Sequence, residues 1–159
     1  MKKLGFILVL FLMISVDMFG QNITEVKGVY LTSELKPYSG KYTSQFDNGN
    51  IKLEMYLNKG LKEGQVKLYF PSGQLNEIRS YRKNEMHGTW IVYNESGVKT
   101  SLANYKKGLK NGKWMIWNDK GILLYDLQYK NGEKTGVWKI YDDSGTLVNE
   151  RNYSTLKKK

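Results

Sequence analysis

The residue types that do most catalytic chemistry are thinly spread along this chain. Cysteine is absent and His87 is the only histidine. No His/Cys/carboxylate cluster with metal-ligand spacing is present, and without a cysteine no Cys–His nucleophile pair can be assembled. The best carboxylate pair for acid–base work is Asp142-Asp143, but it stands in Asp-Asp-Ser-Gly, the composition of a tight turn. The segment Gly108-Leu109-Lys110-Asn111-Gly112-Lys113 has the glycine and lysine of a phosphate loop. It lacks the Gly-Lys-Ser/Thr ending and the helix that would aim backbone N–H groups at a phosphate. The sequence therefore predicts no enzyme: no catalytic residue, no cofactor and no metal ligand.

What positions these residues is a repeat. Glycine stands at 40, 64, 88, 112 and 136, and again at 49, 73, 97, 121 and 145, with a constant step of 24. A third series reads Gly60, Asn84, Gly108, Gly132. Asn is the residue that best replaces glycine at positive φ, so this series predicts a left-handed backbone position. Between the glycines run segments such as Lys113-Trp114-Met115-Ile116-Trp117 and Ile122-Leu123-Leu124-Tyr125, aromatic and β-branched with no helical spacing. Tips such as Asp119-Lys120-Gly121 separate the two segments of each unit, which is hairpin chemistry. The fold class that follows is all-β: an elongated, single-sheet antiparallel meander of five 24-residue hairpin units over residues 39–156. Residues 21–38 read as starting strands, with Val29-Tyr30-Leu31 the clearest, that begin the array.

The units align their aromatics into columns: Tyr42, Val66, Trp90, Trp114, Trp138; then Tyr69, Tyr93, Trp117, Tyr141; then Tyr81, Tyr105, Tyr129, Tyr153. Stacked units should bring the members of each column together as glue between repeats. Trp114 and Trp117 lie three apart and so face opposite sides of a strand. Trp114 is expected to be buried between its neighbours, and Trp117 to be the more exposed and the better placed for ligand contact.

The pattern G-x-W-x-x-Y-x-x-x-G, followed eight residues later by Tyr and then by a Gly turn, resembles the MORN repeat. Here it reads Gly112-Lys-Trp-Met-Ile-Trp-Asn-Asp-Lys-Gly121 and Gly136-Val-Trp-Lys-Ile-Tyr-Asp-Asp-Ser-Gly145. More closely, it is similar to the bacterial variant in the YwqK-type family, often labelled the antitoxin half of a toxin–antitoxin pair. The resemblance implies a protein partner that is neutralised on binding. The first copy is degenerate, with Gln45 and Leu57 where Tyr is expected, as terminal units of arrays often are.

Residues 1–20 read as a secretory signal: Lys2 and Lys3, an apolar run from Leu4 to Val16 too short to span a bilayer, and small Gly20 before a polar chain. An exported protein is expected, in the periplasm, associated with the envelope or secreted. The net charge is +10, which favours anionic partners. Export disfavours nucleic acid and leaves a protein partner, with anionic phospholipid or glycan as the alternative. The charge is unevenly placed. The return turns between units are net basic, carrying Arg82, Lys83, Lys106, Lys107, Lys110, Lys130 and Lys134, whereas the tips are net acidic. That basic rim and the aromatics Tyr69, Tyr93, Trp117 and Tyr141 are the candidate binding residues. Residues 157–159 form a basic tail.

Overall fold

The structure, a computed structural model, describes residues 22–154; the apolar leader and the basic tail lie outside the described residues. The strands are β1 (Thr24–Val26), β2 (Val29–Leu31), β3 (Gly40–Gln45), β4 (Ile51–Asn58), β5 (Leu61–Tyr69), β6 (Leu75–Arg82) and β7 (Glu85–Met86). They continue as β8 (Gly88–Tyr93), β9 (Lys99–Lys106), β10 (Leu109–Lys110), β11 (Gly112–Trp117), β12 (Leu123–Lys130), β13 (Glu133–Tyr141) and β14 (Leu147–Asn152). No helix occurs among the described residues. The strands from β3 to β14 form one twelve-stranded sheet in chain order without a crossover, β7 and β10 being short extensions paired to β6 and β9. The fold is the all-β meander expected from the repeat.

The two kinds of turn use different chemistry. At each tip the glycine N–H donates three residues back, as from Gly97 to Asn94 O at 2.9 Å and from Gly121 to Asn118 O at 2.9 Å. In the last three tips an Asn or Asp side chain completes the turn. Asp142 Oδ1 accepts from the N–H groups of Ser144 and Thr146, both at 2.9 Å. The Ser144 hydroxyl and then the Thr146 N–H hold the Asp142 carboxyl below its ordinary range. Asp142 is thus occupied in making its turn. The return turns are two residues long with both at positive φ, as at Lys83 (49°) and Asn84 (67°), the mirror-type hairpin turn that suits strand twist. Asn84 therefore occupies the left-handed position that its alignment with glycine implies. Each return turn also bonds back to the preceding unit: Asn84 N–H to Lys62 O at 3.0 Å, Gly108 to Met86 O at 2.9 Å, Gly132 to Lys110 O at 2.8 Å. These bonds line the return turns into one rim.

The core is small and lies at one end. Tyr30, Met55, Leu57 and Val66 form the buried cluster, and no polar side chain is buried among the described residues. Residues 24–31, expected as strands that begin the array, instead form their own two-stranded hairpin against the big sheet. The hairpin touches the start of the array through a single bridge, Leu31 to Pro37, and through Tyr38 N–H to Tyr30 O at 2.9 Å. Tyr30 N–H donates to Gly60 O at 2.9 Å. A side chain at Gly60 would start 2.6 Å from Val29 Cγ1 and 2.9 Å from Tyr30 O at a φ of +76°, so only glycine admits the hairpin there. At the far end of the hairpin, Asn84 Nδ2 donates to Gly28 O at 2.7 Å.

Departures from the repeat pattern where the first two units meet are what let Tyr30 in. Val66 and Leu57 stand where later units carry Trp and Tyr, and the space they leave holds the Tyr30 ring, which contacts Tyr42 at 6.0 Å between centroids. Burial and the neighbouring Glu25 push the Tyr30 hydroxyl well above the ordinary tyrosine value.

Candidate binding faces

Direct register partners in an antiparallel sheet point to the same face. Tyr42 pairs with Met55, Val66 with Arg79, Trp90 with Ala103, Trp114 with Leu127 and Trp138 with Arg151. These share one face with Tyr81, Tyr105, Tyr129 and Tyr153. The columns expected to contact within themselves instead interleave. Ring contacts run Tyr81–Trp90–Tyr105–Trp114–Tyr129–Trp138–Tyr153 at centroid distances of 6.0, 5.0, 5.2, 5.3, 5.1 and 4.8 Å. The reason is spacing. Equivalent residues lie two strands apart, about 10 Å, beyond ring contact, while the intervening strand supplies a Tyr opposite the repeat glycine. Each indole N–H is also satisfied by a backbone carbonyl ten residues back: Trp114 Nε1 to Asn104 O at 3.0 Å and Trp138 Nε1 to Gln128 O at 2.9 Å.

Among the described residues no second layer covers these rings beyond the hairpin, so Trp114 is only partly buried, contrary to expectation, and Trp117 is partly buried likewise. Lysines replace the missing layer. Lys110 Nζ sits 4.2 Å from the Trp114 ring and 4.9 Å from Tyr129, and Lys134 Nζ 4.4 Å from Trp138 and 5.1 Å from Tyr153. Lys62, at the equivalent place, lies over Tyr30 and Tyr81 at 5.6 and 5.5 Å, so the hairpin ring occupies the seat of a repeat Trp. Lys110 and Lys134 are therefore bound to the ladder rather than free on the rim. Arg82, Lys83, Lys106, Lys107 and Lys130 are exposed on it. The three salt bridges among the described residues, Lys36–Glu34, Lys41–Glu54 and Arg79–Glu77, include none of them.

The opposite face is organised by one continuous row of register partners, a feature the column alignment alone did not expose. From one end, Thr43 pairs with Glu54, Glu54 with Lys67, and Lys67 with Ile78. The row continues Ile78–Ile91–Leu102–Met115 through the centre and ends Met115–Asp126–Lys139–Glu150. It is aliphatic in the middle and alternates in charge at both ends. Beside it on the tip side lie Tyr69, Tyr93, Trp117 and Tyr141, all partly exposed. Lys99 Nζ covers Trp117 at 4.4 Å. The Tyr69 hydroxyl donates to Glu54 Oε2 at 2.7 Å, and partial burial followed by that carboxylate pushes its pKa up to about 12. Lys41 and then Tyr69 hold Glu54 below the usual carboxylate range.

His87 sits at the break between β7 and β8, where its backbone N–H donates to Ser80 O at 2.9 Å. Among the described residues no group of three His, Cys, Asp or Glu side chains could hold a metal ion.

Three segments match the MORN repeat variant: residues 62–83, 86–107 and 134–154. The MORN segments begin at Lys62, Met86 and Lys134, the positions that stand beside the ring ladder. Residues 110–131, between the second and third, carry the same Lys–Trp–Tyr geometry. Stacked repeat arrays present extended surfaces suited to binding. No curated protein matches the chain. Among solved structures the chain is similar to the crystal structure of accessory secretory protein 1, 2 and 3 in Streptococcus pneumoniae, at 14% identity and a TM-score of 0.36. That likeness covers 76% of this chain and 23% of the other.

Proposed function

We propose that this chain is an exported, non-enzymatic repeat scaffold whose return-turn rim holds an acidic protein partner, neutralising it as an antitoxin or immunity protein does. The observation that carries the reading is the rim itself. Backbone bonds from turn to turn fix it as one line, and Arg82, Lys83, Lys106, Lys107 and Lys130 project from it without a carboxylate partner in any of the salt bridges described. Export rests on the apolar leader. An anionic bilayer or glycan would feel the same field, but Glu63 and Glu85 are interleaved with the cations, and Glu63 Oε2 accepts the Lys83 N–H at 3.0 Å. A uniform anionic surface is repelled by such carboxylates, whereas a partner with matched charges uses them.

The test is charge reversal of Lys83, Lys106, Lys107 and Lys130 to Glu, against reversal of the tip residues Asp47, Glu95 and Asp143 to Lys. Proteins cross-linked to each variant in envelope extract are compared at low and high salt. Loss of a specific cross-linked protein with the rim variant only, and weakening as the Debye length falls below about 8 Å, supports the reading. Retention of the same protein by the rim variant overturns it. Binding confined to anionic phospholipid vesicles assigns the rim to lipid.

A further inference from the structure

We infer that the face opposite the ring ladder is the interface of a two-fold homodimer, two copies packing sheet on sheet across the aliphatic row. Among the described residues no layer covers this face: the β1–β2 hairpin lies with the cluster of Tyr30, Leu57 and Val66 on the ladder side. Its centre, Ile78, Ile91, Leu102 and Met115, is a contiguous apolar band of four neighbouring strands, partly exposed. An apolar centre with a charged surround is how an association surface is built.

The charge order names the occupant. Turn a second copy about an axis parallel to the strands, midway between Ile91 and Leu102, and the row meets itself reversed. Ile91 then faces Leu102 of the second copy, and Ile78 faces Met115. One step out, Lys67 faces Asp126, and beyond that Glu54 faces Lys139. Every charged contact of these inner pairs is between opposite signs, and each occurs twice by symmetry. An axis running across the strands would instead set Lys67, Glu54, Asp126 and Lys139 each against its own copy. Such like-charge contacts oppose association, so the first arrangement is selected. On the tip side the same rotation places Lys99 against Tyr93 and Leu75 against Trp117, adding cation–ring and apolar contact.

Nine interstrand steps of about 4.8 Å make the row about 43 Å long. With the adjacent tip-side aromatics it covers on the order of 600 Å² per copy, at the lower bound for specific association. The dimer leaves the return-turn rim and the ring ladder outward. It is therefore independent of the partner reading above.

Sedimentation of the purified full chain at a series of concentrations tests this. The wild type should show a reversible monomer–dimer equilibrium. Leu102→Glu should be monomeric with an unchanged circular dichroism spectrum. Lys67→Glu and Asp126→Lys should each raise the dimer dissociation constant by at least about tenfold. Their combination should restore it towards wild type, because the exchanged charges again meet with opposite sign across the interface. Recovery in the double variant also excludes misfolding as the cause of the single losses. A wild type that stays monomeric at all concentrations, or a dimer that survives Leu102→Glu, overturns the proposal.

Discussion

The two ends of the sheet cover the same face by different means. At the N-terminal end Leu57 and Val66 leave a socket, and the β1–β2 hairpin fills it with Tyr30, which is 9% exposed. At the C-terminal end Trp114, Tyr129, Trp138 and Tyr153 fill their own space, and Lys110 and Lys134 lie over the rings in place of a second layer. The backbone frame is common to both, with the same mirror-type return turns and the same turn-to-turn bonds. A single-layer sheet cannot make a dry core by itself. One end therefore borrows a segment from outside the array, and the other settles for interlocked, half-solvated rings. The departures from the repeat at Leu57 and Val66, in the first two units, thus make a socket rather than mark decayed copies.

The largest test of that contrast removes one unit from each end. Deleting residues 112–135 joins two equivalent positions and should leave a shorter folded array, because each unit contacts only its neighbours. Deleting residues 40–63 takes away Met55, Leu57 and Gly60, and with them the seat of the hairpin. That loss is comparable to the whole stability of a domain, so the chain should unfold. Circular dichroism with urea titration distinguishes the two outcomes, and equal behaviour would show that the ends do not differ.

Point changes sharpen the same contrast. Tyr30→Ala should cost about 3–5 kcal/mol as a buried aromatic truncation. Val66→Trp, which restores the repeat pattern, should destabilise by at least about 1–3 kcal/mol, because the indole competes with Tyr30 for one space. A stabilising Val66→Trp would mean the socket is not full. Trp114→Ala should cost less, about 2 kcal/mol. It forfeits two ring contacts of about 0.5–1.5 kcal/mol each and the indole bond to Asn104, but Trp114 is only half-buried. Urea denaturation of the three variants ranks them.

The period of 24 made the sheet, the tips and the left-handed Asn84 legible, because each depends on local backbone preference repeated five times. Four features were not. Tyr30 lies outside the repeat, so no alignment of units shows that it fills the Val66 gap. The interleaving of Trp and Tyr depends on which strand lies between two others, a matter of register rather than spacing. Lys110 and Lys134 counted as rim charges because charge is read per turn, whereas the direction of a lysine stem is set by the rings beside it. The column alignment also hid the row from Glu54 to Glu150, whose members come from both strands of every unit and form no single column.

The smallest effect separates the ends by titration. A tyrosine whose folded pKa is raised stabilises the fold below the ordinary value of 10.0, and that contribution is lost as pH rises towards the folded value. Tyr30 is raised furthest, by burial and then Glu25; Tyr69 is raised to about 12, by burial and then Glu54. Tyr105 and Tyr129, on the open ladder, are raised by burial in the first place. Stability should therefore decline from about pH 10 upward, and the decline should be blunted by Tyr30→Phe or Tyr69→Phe, which remove the ionising hydroxyls. Tyrosinate absorbance followed together with urea denaturation checks this. If Tyr105→Phe or Tyr129→Phe blunts the alkaline loss more than Tyr30→Phe does, the ladder rather than the hairpin socket is the better-buried end, and the contrast between the two ends is reversed.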